Sequence, residues 1–503
     1  MKKSLFLLLA FVLLKISSLS AQEISGVVLD SRTGSAVPFA TVQYAPHQGA
    51  ITNDEGRFSI ISAETDSISI SCLGYDALTC KVNKISDDTI FLKPSSIQLD
   101  DVFLSNKNLT GEEIMERVIA RVDSNYDAGL TRKKFFLRNS FFDHVNNFDL
   151  KVEESSMPEL DQNFMDEVEA KIPQHIASYN EYLGELYGNY DSQKVQLLKA
   201  DKLDNPVNTE SFEELNQRIE KILQKKVGAG TYLKVKSGII GVKMDSEELN
   251  KEIEEGKEAE KPKEKTAEEK AKEELEKRKN IKNQAQNLVA GKISKMFWKE
   301  DLDLDVFEKT RKYDFKVEGF AQLDNSLVYI ISFKPKRKAD YKGKIYVNTQ
   351  DFGVHRMDFT NLRPLKKFRL LGISSIDDVH RGKVIFNRDE EGKYNLKYLE
   401  EERGTTVGIE RPLTFLVKKG KFLWKKKLDE LDLEMDINVS NVNKTQLLIY
   451  ESGPLQKLEF ENLETSAAFE YEVFKKYHPE FWSGNNIIEP NAAIKSFTSL
   501  EEE

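Results

Sequence analysis

Cysteine is scarce: 503 residues contain two, Cys72 and Cys80. So few thiols exclude a disulfide framework and a zinc-knuckle array. Six histidines are present, His47, His144, His175, His355, His380 and His478. None opens His-x-x-Glu and no His-Glu-x-x-His occurs, so the ligand set of a zinc peptidase is missing. No Gly-x-Ser-x-Gly elbow and no glycine-rich phosphate loop is present. No catalytic residue, cofactor or metal is therefore expected. Excess positive charge is also lacking: the net charge is −10, which gives nucleic-acid binding no support. After the first residues no apolar run is long enough to span a bilayer as a helix.

What is there begins with an address. Lys2 and Lys3 precede an apolar run from Ser4 to Leu14, and Leu19-Ser20-Ala21 offers small residues before Gln22. This predicts a signal peptide over residues 1–21. No cysteine sits at the expected cut, so a lipoprotein anchor is not expected. The mature chain is expected to be exported to the periplasm or outer-membrane periphery, with peripheral membrane association open to it.

Residues 22–104 read as all-β. Ile24–Leu29, Ala40–Tyr44, Arg57–Ile61, Ser67–Cys72, Ala77–Val82 and Thr89–Leu92 are short runs rich in Val, Ile and Phe, separated by turn residues. That rhythm predicts a sandwich or barrel. Within it, ITNDEGRFSI (residues 51–60) carries a turn signal. Asn53 and Asp54 can bond their own backbone, and Gly56 supplies positive φ. The reading is a hairpin, with Asn53, Asp54 and Glu55 as a candidate contact loop. Alternation turns Cys72 and Cys80 towards an apolar interior, as buried free thiols or as a cross-strand disulfide.

The same stretch carries a family pattern. Gly26-Val27-Val28-Leu29-Asp30, Thr33-Gly34, Val37-Pro38-Phe39-Ala40-Thr41-Val42, Thr52-Asn53-Asp54-Glu55-Gly56-Arg57-Phe58 and Gly74-Tyr75 follow in order. Together they resemble the carboxypeptidase-regulatory-like domain of Bacteroidetes envelope proteins, a transthyretin-like sandwich. The resemblance implies a non-catalytic module. Ser95 to Leu104 resembles the family's exit strand, but the plug and large barrel that follow it in receptors are not recognisable here.

Beyond it, residues 105–244 read as an α+β segment. Thr110 with Glu113 is a capping-box signature for a helix carrying Ile114, Val118, Ile119 and Val122 on one face. Residues 245–283 are almost entirely Glu, Lys and Ala, and Pro262 interrupts them. That composition predicts a charged spacer or solvated helix held by Glu–Lys pairs. Residues 284–503 read as a β-rich domain with an ordered, aromatic tail. Phe315–Val317, Leu327–Phe333, Gly343–Val347, Val354–Phe359, Lys383–Phe386, Tyr394–Leu399, Thr414–Val417 and Leu431–Val439 alternate apolar with polar, which predicts a large antiparallel sheet. Lys342–Asn348 with Val354–Met357 is similar to a strand pair of Bacteroidetes envelope proteins that are themselves similar to the curved half-barrels of lipoprotein carriers.

The fold expected is therefore multidomain: a transthyretin-like sandwich, then an α+β body with a large antiparallel sheet, open to closing as a half-barrel. The leading function is a non-catalytic binding or scaffolding protein with an envelope protein partner. The alternative is a carrier holding lipid or another apolar ligand in a pocket lined by Ile330, Phe333, Ile345, Val347 and Phe359. Lys421, Phe422, Trp424 and Lys425 form a candidate basic-aromatic surface for anionic lipid or an acidic partner. Lys334–Lys338 with Lys342 and Lys344 is a second basic patch. Asp301, Asp303 and Asp305 alternate as on a strand face, expected to be solvated rather than to bind calcium. His47, His355 and His380 fall in or beside expected strands and turns, as surface or half-buried rings.

Overall fold

The computed structural model describes residues 22–62, 65–84, 88–95, 109–126, 129–204, 209–238, 240–251, 266–323, 326–336, 338–420 and 426–498. Residues 1–21, the expected signal peptide, lie outside them.

Strict alternation builds the first unit. β1 (Gln22–Asp30) lies between β4 (Arg57–Ser62), antiparallel, and β7 (Thr89–Leu92), parallel. Facing this sheet, β2 (Thr41–Ala45) pairs with β3 (Gln48–Ile51) and β5 (Ser67–Ser71), and β5 pairs with β6 (Leu78–Lys81). Ile24, Val28, Val42, Phe58, Ile60, Ile68 and Ile70 fill the space between the layers. The sandwich is as expected, but Asn53–Gly56 is not a hairpin. It carries the chain from β3 in one sheet to β4 in the other. Asn53 Oδ1 accepts from the N–H groups of Glu55 and Arg57, each at 2.9 Å. Gly56 has φ +73°, and a Cβ there would lie 2.5 Å from the Val28 carbonyl oxygen. Cys72 is buried and Cys80 half-buried, and both are free. Burial pushes the Cys72 thiol up to about 11, so it is a small apolar filler.

The body is a single open sheet. Its strands are β8 (Thr131–Ser155), β9 (His175–Gly188), β10 (Gln193–Leu203), β11 (Thr231–Ser237), β12 (Ile240–Asp245), β13 (Tyr313–Leu323), β14 (Ser326–Pro335), β15 (Tyr341–Asn348), β16 (Val354–Asn361), β17 (Lys366–Leu370), β18 (Ile373–Arg388), β19 (Tyr394–Lys419), β20 (Lys426–Pro454) and β21 (Glu470–Phe474). The spatial order is β13-β14-β15-β16-β18-β19-β20-β8-β9-β10-β21, antiparallel except for β10 with β21. Among the described residues no pairing joins β13 to β21. Strands from the 105–244 segment and the 284–503 domain thus interleave: β8 pairs with β20 along its length. The expected boundary between them does not divide the sheet. β19 is one strand of 26 residues rather than two short ones. Its middle, Glu400 to Arg411, is polar except for Val407 and Ile409 and reads as a loop until its neighbours supply the ladder.

Five helices position the candidate sites: α1 (Gly111–Ala120), α2 (Gln162–Lys171), α3 (Thr209–Lys226), α4 (Ala267–Ile293) and α5 (Ala492–Lys495). The capping box of α1 forms: the Glu113 N–H donates to Thr110 Oγ1 at 3.2 Å, and the Thr110 N–H donates to Glu113 Oε2 at 2.8 Å. α4 continues through residue 283, where a domain boundary is expected. Its first turns are exposed and carry the Arg278–Glu274 pair at 2.9 Å. Its last turns bury Ala285, Val289 and Ile293. The charged run is therefore the outer half of a helix whose inner half is core.

That inner half fills the sheet's trough. Ile114 and Met115 of α1, Val289 and Ile293 of α4, and Met296, Phe297, Val306 and Phe307 of the following segment pack in one cluster with Phe135, Leu137, Ile331, Phe333, Ile345, Val347, Met357 and Phe386. Tyr126 stacks on Trp298 at 4.4 Å, and Phe297 meets Phe307 at 4.4 Å. β19, β20 and β8 run on beyond the trough as an arm. There α2 and α3 cover Leu150, Val152, Leu413, Leu431 and Leu433 with Phe164, Met165, Leu215 and Ile222.

Candidate functional site

The candidate contact loop is spent on its own chain. Asn53 Nδ2 donates to the Glu489 carbonyl at 3.2 Å, and Glu55 Oε1 accepts the Ala492 N–H at the start of α5 at 2.7 Å. Asp54 faces Lys444 of β20 at 3.6 Å. A cavity of about 370 Å³ lies beneath, lined by Asn53, Asp54, Arg138, Lys444 and Glu489 among others. Around it the sandwich, the sheet and the tail share an apolar seam of Ile51, Phe136, Tyr398, Leu448, Trp482 and Ile488. Lys397 Nζ crosses the seam to the Gly49 carbonyl at 3.0 Å, and burial draws its pKa down to about 7.

Under the tail sits a buried charge cluster that gives no signal in the sequence. Arg138 of β8 pairs with Glu181 of β9, and both are essentially inaccessible. Arg138 Nη2 also donates to the Ile488 carbonyl at 2.9 Å. Asp201 of β10 lies in register beside Glu181 and accepts from Trp482 Nε1 at 3.0 Å. Glu181 Oε2 and Asp201 Oδ1 have no protein partner. Burial, then the Glu181 carboxylate, raises the Asp201 pKa well above its ordinary value.

A second polar cluster closes the trough mouth, where a cleft of about 460 Å³ separates the end of α4 and residues 301–304 from β18 and β19. Tyr341 OH meets His380 Nδ1 at 2.6 Å, and His380 Nε2 meets Glu401 Oε1 at 2.7 Å. Lys292 of α4 pairs with Glu401, and Arg403 bridges Glu401 at 2.8 Å to Asp303 at 2.9 Å. Burial works to raise the Glu401 pKa, but the His380 hydrogen bond and the two cations outweigh it and hold the carboxyl far below its usual range. Each group is committed to a neighbour, so the cluster pins the helix to the sheet. His380 is 2% exposed and His355 is 4% exposed. Neither is the surface or half-buried ring that its place beside a turn implies, because core contacts with residues distant in sequence bury both.

His355 carries a testable pH dependence. Burial lowers its pKa to about 4. The folded state then keeps the ring neutral where the unfolded chain, at about 6.5, is protonated. Its contribution is present above about pH 6.5 and is lost as the pH falls towards 4, by up to about 3 kcal/mol. Urea midpoints at neutral and acid pH should show this loss in the native chain and a smaller one in His355→Gln.

The other residues singled out by the sequence are scattered. Lys421, Phe422, Trp424 and Lys425 lie outside the described residues. In the other basic patch, Lys336 pairs with Asp314 and Lys344 with Glu318, each at 3.3 Å. Phe333, Ile345, Val347 and Phe359 do share the concave face, but they are buried under the trough's filling. Ile330 is not with them. Side chains alternate along a strand, so it lies on the opposite face, paired with Tyr346. Asp301, Asp303 and Asp305 are not on a strand: Asp301 has φ +57°, Asp303 goes to Arg403, and Asp305 accepts from Tyr313 OH at 2.5 Å. Among the described residues no group of three potential ligands could hold a metal, and no helix is long and apolar enough to cross a membrane.

Comparison with known proteins assigns the first unit. Residues 24–104 match the CarboxypepD_reg-like domain. That domain is a non-catalytic, binding-type module, and its match agrees with the sandwich seen here. No curated protein matches the chain. A LolA superfamily protein from Nitrosomonas europaea is similar over 70% of this chain and 97% of its own, at 8% identity and a TM-score of 0.15, a likeness that carries no argument.

Proposed function

We propose that this is an exported cell-envelope protein, of the Bacteroidetes type, that binds or scaffolds a partner in the periplasm or at the outer membrane without catalysing a reaction. The observation that carries this reading is the filled trough. A carrier needs an empty apolar chamber, whereas α1, α4 and residues 296–307 occupy most of the concave face and leave at its mouth only the charge-lined cleft of about 460 Å³. With the sandwich and tail joined to the other face through a buried seam, the molecule is a stiff platform whose surfaces are what it offers. The N-terminal leader pattern and the binding-type domain support the envelope setting.

Fractionation of cells producing the full chain tests this. The expected result is an envelope-fraction protein that begins at Gln22 and captures a protein partner from envelope extract. A cytosolic protein retaining residues 1–21 overturns the export reading.

A further inference from the structure

Two hairpins meet end to end along the free edge of the arm. β17 and β18 turn through Leu371-Gly372, and β11 and β12 turn beside Gly238. Both turns close on β19. The Glu410 N–H donates to the Gly372 carbonyl at 2.7 Å, and Arg411 Nη2 donates to the Ser237 carbonyl at 2.7 Å.

The surface there is unusual on three counts. First, large apolar side chains stand in solvent: Phe368 is 51% exposed, Leu370 57%, Leu371 55%, Ile240 56% and Val242 64%. Single exposed apolar residues are ordinary, but a contiguous group marks an interaction site. Second, the Leu371-Gly372 turn has φ of +49° and +76°. A two-residue turn of that form normally carries Asn-Gly, because a branched side chain at positive φ is strained. Leucine is therefore the costly choice at the tip, both for the backbone and for hydration, and strain retained at an exposed position points to use. Third, Lys367 and Arg369 alternate with Phe368 and Leu370 on β17, and Lys366 precedes them opposite Asp377 of β18; all three cations are exposed, and none forms an ion pair among the described residues. Lys243 on the neighbouring hairpin rests on the Tyr232 ring at 4.3 Å. Glu410 lies between the two turns, in register with Asp436 of β20, and Asp377 lies at the base of the β17 hairpin.

We propose that this double-hairpin edge docks on an anionic lipid surface, with Phe368, Leu370 and Leu371 in the interface and the β17 cations on the headgroups. Apolar tips flanked by Lys and Arg are what an interfacial anchor requires. Three exposed cations in the five residues of β17 stand out on a chain of net charge −10. The inference rests on the envelope reading for its biological setting, but its test does not.

The mature chain from Gln22 is sedimented with phosphatidylcholine vesicles with and without phosphatidylglycerol. The native chain should bind the anionic vesicles, weakly in high salt, and leave the neutral ones. Lys366→Glu and Lys367→Glu should each lower affinity at least about fivefold. Leu371→Asn should weaken binding while leaving thermal stability unchanged or higher, since it relieves the turn; this separates docking from folding. Equal binding to neutral vesicles, no binding to anionic ones, or variants that bind like the native chain would overturn the proposal. A cytosolic location in the fractionation would defeat the envelope reading while leaving vesicle binding intact.

Discussion

Replacing Arg138 by methionine is expected to destabilise the protein by about 3–5 kcal/mol, the usual result of leaving a buried charge without its partner. Glu181 is then stranded in β9 with no cation, and Asp201 stands beside it in register. The tail loses a tie as well, because Arg138 donates to the Ile488 carbonyl. Equilibrium urea unfolding measures the loss, and limited proteolysis should show early cleavage between residues 475 and 498. A double variant, Arg138→Met with Glu181→Leu, should recover much of the stability, since it removes the stranded carboxylate. Asp201→Asn should be nearly neutral at about pH 4 and increasingly stabilising relative to the native chain above it, because burial favours the protonated carboxyl in the folded state. Its pH effect has a definite sign. A carboxyl with a raised folded pKa binds a proton in the native state that the unfolded chain releases above about pH 4, so its contribution falls as the pH rises from there. Asp201→Asn should remove that slope. An Arg138→Met variant as stable as the native chain would show that the cluster does not hold the tail.

Phe297→Ala should cost about 3–5 kcal/mol and open an apolar void at the centre of the trough. Phe297 is 4% exposed and touches the rings of Tyr126, Trp298, Phe307 and Phe386 at 4.4–5.9 Å. These neighbours sit on α-helical, loop and strand elements fixed by their own packing, so the site cannot simply collapse. A dry apolar void of this kind takes up small apolar molecules. The variant should therefore be restabilised by saturating benzene, with little effect on the native chain. If benzene stabilises the native chain equally, the trough already holds usable space and the platform reading weakens.

What the residues disclose in advance is mostly local. The period of two along Ile24–Leu29, Phe58–Ile60 and Ile68–Cys72 suffices for the sandwich, because each strand buries one face against the other layer. Thr110 and Glu113 announce the α1 cap by spacing alone. The turn chemistry at Asn53–Gly56 is equally readable, but its destination is not: the same backbone bonds serve a hairpin or a passage between sheets, and long-range pairing decides. The charged half of α4 masks the apolar half, since Ala285, Val289 and Ile293 recur too late in the run to set its average character. His380 and Arg138 illustrate the deeper limit. Their partners lie 39 and 43 residues away in sequence, so no window reveals the network. Leu371-Gly372 hides for the opposite reason: it lacks the Asn that normally flags its turn.

The measurement closest to the central claim is native mass spectrometry of the mature chain purified from envelope extract without detergent, followed by lipid extraction. A filled trough predicts a chain mass with no stoichiometric lipid, and retained protein partner where one binds. One lipid per chain, carried through purification, would contradict it and make the concave face a ligand chamber.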